Sequence, residues 1–182
     1  LLAQRYTDIE RLMLDNDLAH LDALEARLRT VDTKLLELAS ESLDVKLLMS
    51  LPGVNVTVAI GLMAAIGDID RFDSPQKLTA YFGLVPRVYQ SAESCNHGRI
   101  TKQGRSQARW LAVEAAQRMV NSGAPLTAGY HRIRRKKSHN VAVVALARKL
   151  VVVVWHLHTH QEPYRYAPTK RTRAKLRRVT PG

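Results

Sequence analysis

The chain has little of several things, and each shortage excludes a class of protein. A single cysteine, Cys95, rules out an internal disulfide framework and leaves any zinc site short of thiolates unless histidines fill in. No glycine or proline occurs before Pro52, so nothing in the first fifty residues forces a helix to stop. Acid is scarce: 16 Asp and Glu face 28 Lys and Arg, a net charge of +12 over 182 residues. The longest apolar stretch, Val141 to Leu157, is split by Arg148-Lys149 and falls short of the roughly 18 uncharged residues that a membrane span needs, so it reads as a buried helix and no membrane partner is expected. With 46% apolar and 24% charged residues the composition is that of a globular domain with appendages, or of two small domains, and neither fibrous nor disordered. The chain opens on Leu1 without a basic leader, which reads as the interior of a longer cytoplasmic protein.

The positive excess is confined to one half. Residues 1–50 hold 6 basic and 10 acidic side chains, and residues 51–84 hold 2 and 3. Residues 85–130 hold 6 and 2, and residues 131–182 hold 14 and 1. A basic half beside an acidic half points to contact with a polyanion such as nucleic acid, through phosphate attraction and counterion release. The alternative is a solubilising surface with a loose tail.

From Leu14 onward a heptad can be counted. Leu14, Leu21, Leu28 and Leu35 recur every seven residues, with Leu24, Val31, Leu38 and Val45 between them, interrupted at Asp17 and Ser42. This a/d seam predicts one helix from about residue 4 to residue 50, about 70 Å long at about 1.5 Å per residue, which needs a mate to cover its leucines. A homo-oligomer through residues 1–50 answers that need. An ordinary amphipathic helix lying on a domain is the other reading.

Leu51-Pro52-Gly53-Val54-Asn55-Val56 then closes one helix and opens another. The turn resembles a helix-hairpin-helix motif over 51–66, in which backbone N–H groups meet a DNA phosphate. Gly53 and Asn55 are its candidate contact residues, Asn55 standing where a second glycine is usual and being among the few other residues that accept a left-handed backbone. A plain corner between two packed helices fits the same residues.

Ser74-Pro75 starts a short helix. The text then loses helical period from Gly83 to Gly104, and this long loop, 83–104, is where chemistry is expected. It holds Arg87, Ser91, Ser94, Cys95, His97, Arg99, Thr101 and Lys102 beside Arg105, with Glu93 the single acid. A hydroxyl among cations suits attack on a phosphodiester: the serine is the nucleophile and guanidinium groups steady the non-bridging oxygens. Cys95 and His97, one residue apart and without a second pair, make a weak metal signal, so no metal is assigned to this chain. Helices are expected over about 105–121, from Pro125 into the basic run Arg134-Arg135-Lys136-Lys137, and over about 140–160. His156, His158 and His160 near that last helix end read as solvated. Residues 163–182, with three prolines and seven basic residues from Arg165 to Arg178, read as a flexible arm.

Four stretches, LPGVNVTVAIGLMAAIGDIDRF, LTAYFGLVPRVYQSAES, GRITKQGRSQARWLAVEAA and KKSHNVAVVALARKL, together resemble successive signature segments of the IS one-ten (IS116/IS110/IS902) family of insertion-sequence transposases over about residues 47–166. That resemblance implies a recombinase acting on DNA with a structured guide RNA, in the bacterial or archaeal cytosol at the nucleoid. It also implies a partner RuvC-like domain whose four acids hold Mg2+ and which is not in this chain. The family's serine step matches Gln90-Ser91-Ala92, making Ser91 the implied nucleophile and Ser94 the fallback, with Arg87 beside them; Ala92 stands where glycine is usual. The basic turn Gly98 to Gly104 implies phosphate contacts by Arg99 and Lys102, joined by Arg105 and by Arg134, Arg135, Lys136 and Lys137.

The expected architecture is therefore all-α: a coiled-coil helix over 1–50, a compact helical domain over 51–162 and a basic tail over 163–182. Its expected function is strand transfer on DNA, against a non-catalytic module that binds nucleic acid and dimerises, or a regulatory helix-hairpin-helix protein.

Overall fold

The computed structural model describes residues 6–91, 94–167 and 169–179, with backbone alone at 88–91, 94–97, 99 and 169. Among these residues the fold is all-α with one exception, a two-stranded ribbon.

Helix α1 (Asp8–Glu41) begins in a capping box. Thr7 accepts from the Glu10 amide at 3.3 Å while its own N–H donates to the Glu10 carboxylate at 2.7 Å, satisfying two amides that a helix start leaves open. The helix stops at Ser42, eight residues before the predicted end. There the backbone turns extended (φ −103°, ψ 116°) and the hydroxyl caps α2 (Leu43–Met49) by accepting from Val45 N–H at 3.3 Å. Serine competes with helix geometry by offering this bond, which is why one predicted helix is two. Only Ala39 of α1 is buried.

The turn after α2 leads into α3 (Val56–Ile66). Gly53 sits at φ +81°, and a Cβ there would lie 2.2 Å from the carbonyl oxygen of Ala115. The turn is thus pressed against α5 (Ser106–Met119), whose buried stripe of Ala108, Ala112, Ala115 and Ala116 lets it come close. Asn55 is not left-handed: at φ −101°, ψ 180° it is the N-cap of α3, its Oδ1 accepting from Val58 N–H at 2.9 Å.

Helix α4 (Pro75–Tyr81) starts on Ser74 with proline at its first position, as predicted. A tight turn leads to β1 (Pro86–Ser91) and β2 (Ser94–Ile100), then α5, α6 (Ala128–Arg134), α7 (His139–His160) and α8 (Thr169–Arg177). Helix α7 is the axis of the body: Leu146, Leu150, Val151 and Val154 are buried, Trp155 donates to the Phe72 carbonyl at 2.8 Å, and the valine run is helical. Contrary to the reading of Val141 to Leu157 as too short, the full helix His139–His160 is long and apolar enough to cross a membrane by composition, and half of that window is buried inside the fold. The core joins Leu48, Leu51, Leu62, Ile66, Leu78, Phe82, Leu84 and Met119 to it.

Two expectations need correction. The segment 83–104 contains antiparallel strands with side-chain alternation too short to show as a period. The tail contains α8, which docks: Val179 is 2% exposed, and Lys175 reaches into the body.

Candidate nucleic-acid interface

The ribbon pairs Val88 with His97, Tyr89 with Asn96, Gln90 with Cys95 and Ser91 with Ser94. The two candidate nucleophiles are therefore the last paired residues of the ribbon, facing one another across its tip. Ala92 and Glu93, which join them, lie outside the described residues, as do the side chains of Ser91, Ser94 and Arg99. Nearer the base, one residue of β1 (Arg87, between Pro86 and Val88) faces two of β2 (Gly98 and Arg99, between His97 and Ile100). Such an extra residue bends and twists a ribbon. Arg87 is exposed at the foot of β1, about 13 Å of strand from Ser91 at about 3.3 Å per residue, so the fold does not set it beside the serine.

The base of the ribbon is built onto the end of α4. Thr101 N–H donates to Val85 O at 2.9 Å, Lys102 N–H to Gly83 O at 3.2 Å and Arg105 N–H to Tyr81 O at 3.0 Å. Gly104 (φ +140°) lies so close that a Cβ would meet the Tyr81 carbonyl oxygen at 2.2 Å. Lys102 takes a left-handed backbone (φ +55°), rare for a residue with a Cβ and held here by the bonds around it. Arg109, which the sequence reading passed over, clamps the turn: one Nη1 donates to both Phe82 O and Lys102 O at 3.2 Å. A cation four residues into the next helix was the only local signal for it. Lys102 and Arg105 are left exposed beside the ribbon, Arg105 as the N-cap of α5 without a side-chain cap bond.

Arg134, Arg135, Lys136 and Lys137 form a separate exposed cluster at the α6–α7 junction. Cations at the end of α6 also answer the negative end of its dipole. No hydrogen bond or ion pair among the described residues joins them to the ribbon. In the α2–α3 turn, Gly53 faces α5, and the N–H groups of Asn55, Val56 and Thr57 find no acceptor among the described residues.

The same turn is gripped from the other side. Lys175 Nζ donates to the carbonyls of Met49, Leu51 and Val54 at 2.7, 2.8 and 2.9 Å. Burial pulls its ammonium down to about 8, so near neutrality it still carries its proton to the three carbonyls. Ser50 Oγ accepts from Tyr164 N–H at 2.7 Å.

Of the three histidines at the end of α7, His158 departs from the reading as a solvated group. His156 and His160 are exposed, but His158 is 4% exposed, with Nδ1 3.6 Å from Asp44 of α2 and Nε2 unpartnered. Burial lowers its pKa, and Asp44 partly opposes that. Among the described residues no group of three or more His, Cys, Asp or Glu converges, so their donor set does not fit Mg2+.

Among the described residues the site is a helical body carrying one serine-tipped ribbon with exposed cations at its base. Residues 45–132 match the transposase IS116/IS110/IS902 family, and the chain belongs to it. Over 138 residues it is 30% identical to the transposase for insertion sequence element IS1111A of Coxiella burnetii, covering 74% of this chain and 38% of that protein. A probable family 20 transposase of Pseudomonas aeruginosa is 27% identical over 149 residues, 80% of this chain and 44% of that protein. The insertion element IS110 uncharacterized 43.6 kDa protein of Streptomyces coelicolor is 30% identical over 109 residues, 59% of this chain and 27% of that protein. The chain thus spans less than half the length of these curated relatives.

Proposed function

We propose that this chain is the serine-bearing part of a DNA transposase. The observation that carries the reading is the ribbon tip, where Ser91 and Ser94 close the ladder inside the family-matched segment, above a base bearing exposed Lys102 and Arg105. The Ser91 hydroxyl gives its proton to solvent, and its Oγ bonds to the phosphorus of a DNA phosphodiester. The bond from phosphorus to one sugar oxygen breaks, leaving a free hydroxyl on one DNA end and a phosphoserine ester on the other. A hydroxyl from a second DNA end attacks the same phosphorus; the Oγ–P bond breaks, and the serine recovers a proton. Bond energy is conserved in the ester, so no nucleotide hydrolysis is needed.

Arg99, Lys102 and Arg105, toward the base of the ribbon, hold phosphates of the backbone neighbouring the scissile one. Arg87, further down the strand, takes a neighbouring phosphate and not the scissile one. The free amides of the 53–57 turn and the cluster Arg134–Lys137 bind backbone elsewhere on the DNA. A RuvC-like domain with its Mg2+ and a structured guide RNA complete the working protein, which acts at the nucleoid in the cytosol. A homo-oligomer forms through α1, supported by its bare seam: Leu14, Leu21, Leu24, Leu28, Val31 and Leu38 are all between 43% and 62% exposed. That seam equally suits the second reading, a module that dimerises and holds nucleic acid without chemistry.

Ser91→Ala and Ser94→Ala variants of the full transposase, incubated with terminal DNA of the element and denatured, separate the two. Loss of the covalent protein–DNA adduct in Ser91→Ala alone supports the catalytic reading. An adduct undiminished in both variants rejects it, and unaltered salt-sensitive binding without any wild-type adduct favours the binding module.

A further inference from the structure

Helix α8 carries five cations in nine residues, with no acid. Arg171 and Lys175, and Arg173 and Arg177, stand at i,i+4, where like charges repel, and a nine-residue helix of this composition has no stability of its own in water. It exists because the body seats it. Lys175 is fixed by three backbone carbonyls of the α2–α3 turn, Thr172 is buried, and Val179 closes the contact.

Seating by that face determines what the other face shows. Thr172, Lys175 and Val179 mark the inner side, so at about 100° per residue Lys170, Arg173 and Arg177 fall on the outer side, at i, i+3 and i+7. All three are exposed, and none makes an ion pair with a described carboxylate. They span about 10.5 Å along the helix at about 1.5 Å per residue, while a DNA strand places one phosphate about every 3.4 Å of duplex axis. Arg178, on the flank, lines a pocket of about 160 Å3 together with Asp32, Asn55, Val56 and Thr57.

We propose that α8 is a pre-seated nucleic-acid-binding helix, anchored through Lys175 in the carbonyls of Met49, Leu51 and Val54 and presenting Lys170, Arg173 and Arg177 to the phosphate backbone of duplex DNA. The inference rests on the reading of this protein as one that acts on DNA. It supplies what the turn lacks, because residues 51–84 carry 2 basic and 3 acidic side chains and neither basic one, Arg71 or Lys77, lies in the turn. Concentrated like charge on a helix that cannot stand alone is costly in the free protein, and an anionic strand along it removes that cost.

The test is duplex binding by fluorescence anisotropy across a series of salt concentrations, with the full chain and mixed-sequence DNA. The triple variant Lys170→Gln, Arg173→Gln, Arg177→Gln changes only exposed side chains. It is expected to bind more weakly and to flatten the slope of log affinity against log salt by about one per cation removed. Lys175→Met is expected to weaken binding several-fold and to speed amide hydrogen exchange across 172–179, although the lysine touches no DNA. If wild type binds with a steep salt slope and the triple variant is indistinguishable from it, the α8 proposal is overturned and the DNA reading stands. If wild type shows no salt-dependent binding to duplex, both fall. If the triple variant loses binding to phosphatidylserine vesicles or to polyglutamate while its duplex affinity is intact, the stripe serves another polyanion and the proposal is overturned.

Discussion

Helices α1 and α7 are the two long helices of this protein, and they are stabilised in opposite ways. Over 34 residues α1 buries one side chain, Ala39, and carries an apolar seam in the open. Over 22 residues α7 buries nine, from Ala142 to His158. Both are apolar along one face, so period alone does not separate a helix made for its own core from one made for a partner. What differs is the surroundings: α2, α4, α5 and α6 pack against α7, whereas α1 meets the body only through its last turns. Core helices hold the fold up; α1 adds a surface.

The comparison can be broken most sharply at α7. Leu150→Ala, at a side chain with 0% exposure, is expected to destabilise the body by about 2–5 kcal/mol, through lost burial plus the cavity left behind, read as a lowered midpoint in urea. A loss below about 1 kcal/mol would mean that α7 is not the axis of the core.

Gly53→Ala tests the seat shared by the turn and α5. Its positive φ costs about 1 kcal/mol or more for a residue with a Cβ, and the clash with the Ala115 carbonyl adds to that, so a loss of about 2 kcal/mol is expected from thermal melts. A neutral result would show that the two elements are not in close contact.

His158, at the foot of α7, gives a weaker, pH-dependent effect. Its folded-state pKa lies below the ordinary histidine value, so as pH falls through that value the unfolded chain binds the proton first and stability is lost. Melting curves at pH 7 and pH 5 should show the decline in wild type and a flatter response in His158→Leu. Equal pH dependence in the two proteins would remove His158 as its source.

The smallest effect on the body is expected in α1. Leu21→Asp with Leu28→Asp should shift the thermal midpoint of the body by no more than about 0.5 kcal/mol equivalent, since both side chains are open to solvent. Sedimentation should nonetheless show loss of self-association. An unchanged oligomer would mean that the seam is covered by something other than a second copy, and a large drop in stability would mean that α1 belongs to the core.

The parts of this molecule that could be read without coordinates are those governed by neighbours in the chain. Ser74 with Pro75 is a start signal whose bond closes within three residues; Thr7 with Glu10 and Asn55 before Val56 close as locally, yet the first goes unread and the second is read as a left-handed turn residue. The leucine period of α1 and the alternating burial of α7 are properties of single helices. The ribbon escaped because its strands are short and their pairing is set between residues up to fourteen apart, such as Pro86 and Ile100. Arg109 escaped because its acceptors are carbonyls that only the turn at 82–102 brings to it. Ser91 and Ser94 are singled out as candidates by their neighbours in the sequence, but their pairing at one ribbon tip is a matter of register.

Composition, charge division, the Ser74-Pro75 helix start and the heptad seam were determined by the sequence alone, because each depends on residue identity and on spacing within a few turns. That the seam stays uncovered, that Gly53 presses on α5, that His158 is buried and that a basic tail becomes a docked helix were decided by tertiary structure. Each depends on what distant segments bring into contact: Lys175 lies more than a hundred residues from the carbonyls that hold it, and no local pattern announces where an ammonium will find three acceptors.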